Sequence, residues 1–162
     1  MLKLDDRDIA ILRVLSREGR ITKAELASRV NLTATPCWER LKRLEKAGII
    51  ESYKAMIDLR KITPHVVVFV AVELDQHRSE NFQVFERAVE KVDEITACWA
   101  LGGGYDYLMQ MTCVDIDRYQ AVIDQLLEAR IGLAKYYTYV VTKPVKSAGA
   151  PPFGALLAGP DN

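Results

Sequence analysis

His65 to Leu74 reads HVVVFVAVEL, a run of β-branched and aromatic side chains with almost no polar break. Residues of this kind are stiff at Cβ and pack well on a pleated surface. The run is much shorter than the ~20 apolar residues a membrane-spanning helix requires. It therefore predicts a buried central strand, and a central strand needs neighbours on both edges and cover on its faces.

The sequence that follows supplies them. Phe82 to Val92 places Phe82, Phe85, Ala88, Val89 and Val92 at helical spacing. Ile95 to Leu101 reads as a strand, Gly102-Gly103-Gly104 as its turn and Tyr105 to Val114 as the returning strand. Asp115 can cap a helix running through Ala129, with a stripe of Ile116, Tyr119, Val122, Ile123, Leu126 and Leu127, and Gly132 precedes a last strand over Leu133 to Val141. The order is βαββαβ, the ferredoxin-like arrangement. Two helices cover one face of such a sheet, so the other is expected to pair with the sheet of a second copy.

The first sixty residues have a different period. Residues 4 to 17 put Ile9, Ile11, Leu12, Val14 and Leu15 on a helical stripe opened by acidic residues, and Gly19 is expected to end that helix. Thr22 and Glu25 have the spacing of a capping box, and the helix they open should bury Ala24, Leu26, Ala27 and Val30. After the short Asn31-Leu32 turn, Thr33 offers a hydroxyl N-cap. Pro36 falls where the first helical turn tolerates proline, and the helix should reach Ala47 with Gly48 just beyond it. Its stripe is Cys37, Trp38, Leu41 and Leu44, while Arg40, Lys42, Arg43 and Lys46 lie outside it. Two short helices joined by a tight turn, the second carrying four cations, meet the requirements of a helix-turn-helix. A plain three-helix bundle kept in solution by its charges is the alternative. Residues 49–57, IIESYKAMI, alternate loosely, as a small wing would.

Charge supports this division. The whole chain has 22 Lys and Arg against 22 Asp and Glu, which argues against nucleic acid only if charge is spread evenly. It is not: residues 1–60 hold 13 cations against 9 anions, a net of +4, and residues 61–162 carry the opposite excess. A basic part joined to an acidic part points to contact with nucleic acid or a membrane surface by the first. An α-helix fits the major groove, where Arg or Lys can donate twice to guanine and Thr can meet a thymine methyl. The chain divides into 1–60, a winged helix-turn-helix with linker; 61–146, the ferredoxin-like domain; and 147–162, a Gly-, Pro- and Ala-rich tail expected to be disordered or loosely docked.

Catalysis finds little support. The glycine run lies between two strands and precedes no helix, so it is not a dinucleotide fingerprint. His65 and His77 are the only imidazoles, and neither has a nucleophile or metal-ligand partner nearby in sequence. Cys37, Cys98 and Cys113 lack metal or redox spacing and read as free buried thiols of a reducing compartment. No cofactor or metal is expected, the start MLKLDDRD lacks the apolar region of a signal peptide, and a cytoplasmic location follows. A small-molecule-binding ferredoxin-like dimeric enzyme with an accessory helical domain is the alternative reading, because fold alone does not exclude it.

With TPCWERLKRLEKAGII in the helical part and GGGYDYLMQM in the hairpin, the chain resembles the Lrp/AsnC, or feast/famine, family of transcription regulators over about residues 3–143. The resemblance implies an α+β protein: an N-terminal winged helix-turn-helix that binds operator DNA, and a ferredoxin-like domain that dimerises and senses a small effector, usually an amino acid. It implies DNA contacts from Thr33, Thr35, Pro36, Glu39, Arg40, Lys42 and Arg43, with Arg40 and Arg43 foremost. It places an effector site, at a subunit interface, on Leu101, Gly102, Gly103, Gly104, Tyr105 and Asp106. Family members usually carry one or two glycines at this loop, and the third here favours backbone amides as binders of a carboxylate. Asp106 would then meet the effector's ammonium and Trp99 could wall the pocket. Dimers would associate further, to assemblies such as octamers, and tight DNA binding would depend on several of them acting together.

Overall fold

The computed structural model describes residues 2–146 and 149–157. It divides into two compact units, Met1–Ile57 with Lys146–Asn162, and Asp58–Val145.

In the first unit, helices α1 (Asp6–Leu15), α2 (Lys23–Arg29) and α3 (Ala34–Lys46) enclose a core of Ile11, Leu12, Leu26, Ala27, Val30, Cys37, Leu41 and Leu44. The turn between α2 and α3 is tight because Asn31 takes a left-handed conformation, φ 53°, which asparagine tolerates better than most residues. Gly48 does the same beyond α3 at φ 68°, as its place in the sequence predicts. Other expectations change. Ala24 is exposed, and α1 ends at Leu15, four residues before Gly19. Thr22 caps the amide of Glu25 at 3.2 Å, but the Glu25 carboxylate turns to Arg29 at 2.6 Å, so only half of that capping box forms. The complete box stands instead on α1, between Asp5 and Asp8.

Residues 49–57, whose alternation reads as a wing, form no strand. A hairpin needs a partner strand, and none is bonded to this segment among the described residues. Of the 147–162 tail, residues 149–157 are described. They include a five-residue helix, α6 (Phe153–Leu157), whose Phe153 packs against the three-helix core; residues 147, 148 and 158–162 lie outside the described part.

The second unit has strands β1 (Val66–Leu74), β2 (Ile95–Ala100), β3 (Tyr107–Cys113) and β4 (Leu133–Val140), with helices α4 (Ser79–Val89) after β1 and α5 (Ile116–Glu128) after β3. The sheet order is β2-β3-β1-β4, all antiparallel, with the Val-rich strand inside as its sequence requires. Alternate residues of β1 and β3 point to the helices: Val68, Val70, Val72, Leu74, Tyr107, Met109, Met111 and Cys113 meet Phe85, Val89, Tyr119, Val122, Ile123 and Leu126 in one core. Asp115 caps α5 through the amide of Arg118 at 2.7 Å, as expected. Ile116 and Leu127, placed on the α5 stripe by spacing, are exposed instead. The opposite sheet face, with Phe69, Leu108, Trp99, Tyr137 and Tyr139, is uncovered by the helices of this unit, and Trp99 is 46% and Tyr139 53% exposed. Among the described residues no helix is long and apolar enough to cross a membrane.

Candidate DNA-binding helix and effector loop

Helix α3 presents the first candidate surface. Thr33 is its N-cap, yet its hydroxyl caps no backbone N–H and is free to meet a partner. Thr35, Glu39, Lys42 and Arg43 are exposed, and Pro36 and Arg40 are half-buried. The two arginines are not free cations. Arg40 Nη1 donates to Asp5 at 2.6 Å and to Asp8 at 2.9 Å, and Arg43 Nη2 donates to Asp8 at 2.6 Å. Asp8 has no solvent exposure and is the one buried charged residue described. Its second task is to accept from the Asp5 amide at 3.1 Å. The amide of Asp8 donates in return to Asp5 at 3.0 Å and, with Arg40, holds the Asp5 carboxyl down at about 2. Arg7 adds a bond from α1 to the Val30 carbonyl at the end of α2, at 2.7 Å.

The effect of this network is to fix the angle of α3 on α1 by charge-assisted bonds, which are shorter and stronger than neutral ones. Of the seven positions read from sequence as DNA contacts, Thr33, Thr35, Glu39 and Lys42 have side chains open to solvent and uninvolved in the network. Arg40 holds both carboxylates through Nη1, and among the described residues its Nη2 and Nε make no hydrogen bond. The sequence reading missed Asp5 and Asp8, although an acidic pair three apart at the head of an apolar stripe is the pattern of a capping box.

The second candidate surface is the β2–β3 turn. The Leu101 amide donates to the Asp106 carbonyl at 2.8 Å and the Asp106 amide to the Val72 carbonyl at 2.8 Å, so the turn closes against β1. Gly102, Gly103 and Gly104 project beyond that closure, exposed, with nothing within 4 Å of where a Cβ would stand. None is among the residues with left-handed backbone. Among the described residues neither conformation nor crowding demands glycine here, and their amides make no backbone hydrogen bond. They remain available as a cluster of donors.

Asp106 differs from its expected role. One carboxylate oxygen accepts from the buried amide of Leu74 at 2.7 Å, and the other lies 3.0 Å from His77 Nε2. It closes the end of β1, and any ammonium must compete with His77 for it. Tyr105 stacks edge-on to Tyr137 at 5.2 Å, on the uncovered sheet face. Below the loop, Tyr107 donates to Glu86 at 2.8 Å, and burial together with that carboxylate pushes its hydroxyl pKa well up. Burial also raises the Cys98 thiol to about 11, which keeps it protonated and unreactive. Among the described residues no group of three or more His, Cys, Asp and Glu could hold a metal ion.

Comparison with known proteins agrees with this two-part layout. A winged helix-turn-helix DNA-binding model matches residues 4–51, and a model described as the Lrp/AsnC ligand binding domain matches residues 67–151. The chain is 47% identical over 149 residues to the transcriptional regulatory protein DoeX of Halomonas elongata, covering 92% of this chain and 94% of that protein. It is 36% identical to the leucine-responsive regulatory protein of Escherichia coli over 90% of this chain and 88% of that one. A transcriptional regulator of Neisseria meningitidis, solved in complex with L-Met, superposes with a TM-score of 0.88 at 32% identity, over 95% of this chain and 99% of that one.

Proposed function

The chain belongs to the Lrp/AsnC family of transcription regulators, and from that premise we propose how this member engages DNA and effector. It is a regulator with a helix-turn-helix DNA-binding unit and a ligand-binding unit. In our reading α3 enters the major groove with Thr33, Thr35, Pro36, Glu39 and Lys42 leading, while Arg43 and Arg40 contribute as their bonds to Asp8 allow. The effector is an amino acid. Its carboxylate is taken up by the free amides of Gly102–Gly104 and its ammonium by Asp106, with Leu101 and Tyr105 beside it. A cluster of N–H donors suits a carboxylate, and a structurally similar regulator was solved with L-Met.

The site is completed by a second copy. The uncovered apolar sheet face pairs with its counterpart in a dimer, and dimers associate further, to assemblies such as octamers. Regulation follows if the effector binds one assembly better than another, since a ligand shifts an equilibrium only by its differential affinity. The chain works in the cytoplasm, where its DNA is, and as a regulator and not as an enzyme.

The observation that carries this reading is the exposed triple-glycine turn, whose amides make no backbone bond among the described residues, beside the uncovered sheet face. The test is a selection of bound duplexes from a random-sequence pool, run with and without each of the twenty amino acids. An enriched motif with two half-sites, whose occupancy changes with one amino acid, supports the reading; no enriched motif, or an occupancy indifferent to all twenty, refutes it.

A further inference from the structure

Two cations of the DNA-binding unit are held in an unusual way. Lys23, from the first turn of α2, places its Nζ 3.3 Å from the centroid of the Trp38 ring, and Lys42 of α3 places its own 4.9 Å from the same centroid. The two ammonium groups therefore lie within about 8.2 Å of each other. Trp38 is half-buried, with part of its ring packed against the three-helix core, so the indole is a fixed platform between the two helices of the motif. Attraction of a cation to an indole face is of useful size and favours Trp over other rings.

The nearby arginines have their charge answered by carboxylates: Arg29 by Glu18 and Glu25, Arg40 by Asp5 and Asp8, Arg43 by Asp8. Neither Lys23 nor Lys42 has a carboxylate within ion-pair distance among the described residues. Two like charges gathered at one ring without a counter-ion repel each other, and an anion that approaches them relieves that repulsion. A lysine ammonium has rotatable donors for a phosphate oxygen, and the entropy lost in ordering its long stem falls when the stem is already held.

We propose that Lys23, Trp38 and Lys42 form a phosphate clamp: the indole holds both ammonium groups in place for a DNA backbone phosphate beside the groove that α3 reads. Lys23 is a phosphate contact, Lys42 joins it, and Trp38 is a positioning residue. The clamp rests on the reading that α3 faces DNA. It sets register on the duplex and carries no sequence preference of its own.

The experiment uses the full chain and a fluorescently labelled 40-base-pair duplex of random sequence, with affinity measured by anisotropy across a range of salt. Removing one cation that neutralises a phosphate lowers the slope of log affinity against log salt by about 0.9 per bound protomer. Lys23→Gln and Lys42→Gln should each do so. Trp38→Leu should leave the slope unchanged, because both charges remain, while affinity falls severalfold; Trp38→Phe, which keeps an aromatic face and its packing on the core, should fall between. Lys23→Gln should then cost less in the Trp38→Leu background than in the native chain.

Lys91→Gln, an exposed cation of the other unit, is the control and should leave the slope alone. An unchanged slope in Lys23→Gln, an equal loss in Lys91→Gln, or an equal cost of Lys23→Gln with and without the ring overturns the clamp. If the native chain binds the duplex with no salt dependence at all, the DNA-facing reading of α3 falls, and the clamp with it.

Discussion

Asp8, without solvent exposure of its own, accepts a hydrogen bond from Arg40 of α3 at 2.9 Å. An acidic residue of the first helix thereby sets where a cation of the third can point. Asp8 serves Arg43 and the Asp5 amide at the same time, so it links the start of α1 to the exposed side of α3.

Removing that carboxylate should loosen the helix-turn-helix. Hydrogen bonds to charged groups contribute about 1.5–3 kcal/mol each, and the released arginines regain part of that by hydration. Asp8→Asn should therefore cost about 2 kcal/mol of unfolding free energy in urea. It should also weaken duplex binding, because α3 loses its fixed angle. Native stability in Asp8→Asn would show that the network holds nothing.

Acid should act through Asp5. The Asp8 amide, followed by Arg40, holds its carboxyl at about 2 in the folded chain, below an ordinary carboxylate. A group whose folded pKa is depressed contributes stability that is complete above the unfolded value and lost as pH falls through the folded one. The window here runs from about 4 down to 2. Urea midpoints measured across it should fall less steeply for Asp5→Asn than for the native chain; equal slopes would show that Asp5 has no part in the acid response.

Arg40 and Arg43 should separate. Arg43 is more exposed than Arg40, 45% against 27% by side chain, and is bonded through Nη2 to one carboxylate. Arg43→Ala should weaken binding to a selected operator by about 1–3 kcal/mol if the residue reads a base, with little change in melting. Arg40→Ala should lower melting as well. Measured together, operator affinity and thermal unfolding decide which arginine is structural; if both variants melt as the native chain does, the distinction fails.

These residues also show where sequence stops informing. Val66–Leu74 announces a central strand by its own composition, and Asp115 announces a helix cap whose partner is three residues away. The arginine partners of Asp8 lie 32 and 35 residues off, and Leu74, from whose amide Asp106 accepts, lies 32 residues from it. Local period and capping cannot encode such pairs, so Arg40 reads as a free cation and Asp106 as a free anion until the fold brings their partners in. The strand expected over 49–57 is missing for a related reason: alternation there specifies a strand-prone face, and pairing needs a second strand that this segment does not meet among the described residues.

Asp106 needs a variant that divides its two tasks. Asp106→Asn can still accept from the Leu74 amide but no longer answers His77 or an ammonium with charge. It should keep the melting temperature of the effector-binding unit and lose the effector's influence on DNA binding. Asp106→Ala should lose both, with about 1–2 kcal/mol of stability forfeited at the orphaned Leu74 amide. A full effector response in Asp106→Asn would remove the residue from the site.

Whether the glycine-turn unit takes an amino acid is decided by thermal unfolding of the full chain against each of the twenty amino acids. A ligand that binds only the folded state at 100 times its dissociation constant adds about 2.7 kcal/mol. One amino acid, or a small related set, should raise the unfolding temperature, and Asp106→Asn should suppress the rise. Twenty flat responses from a chain that still binds its selected duplex would contradict the assignment.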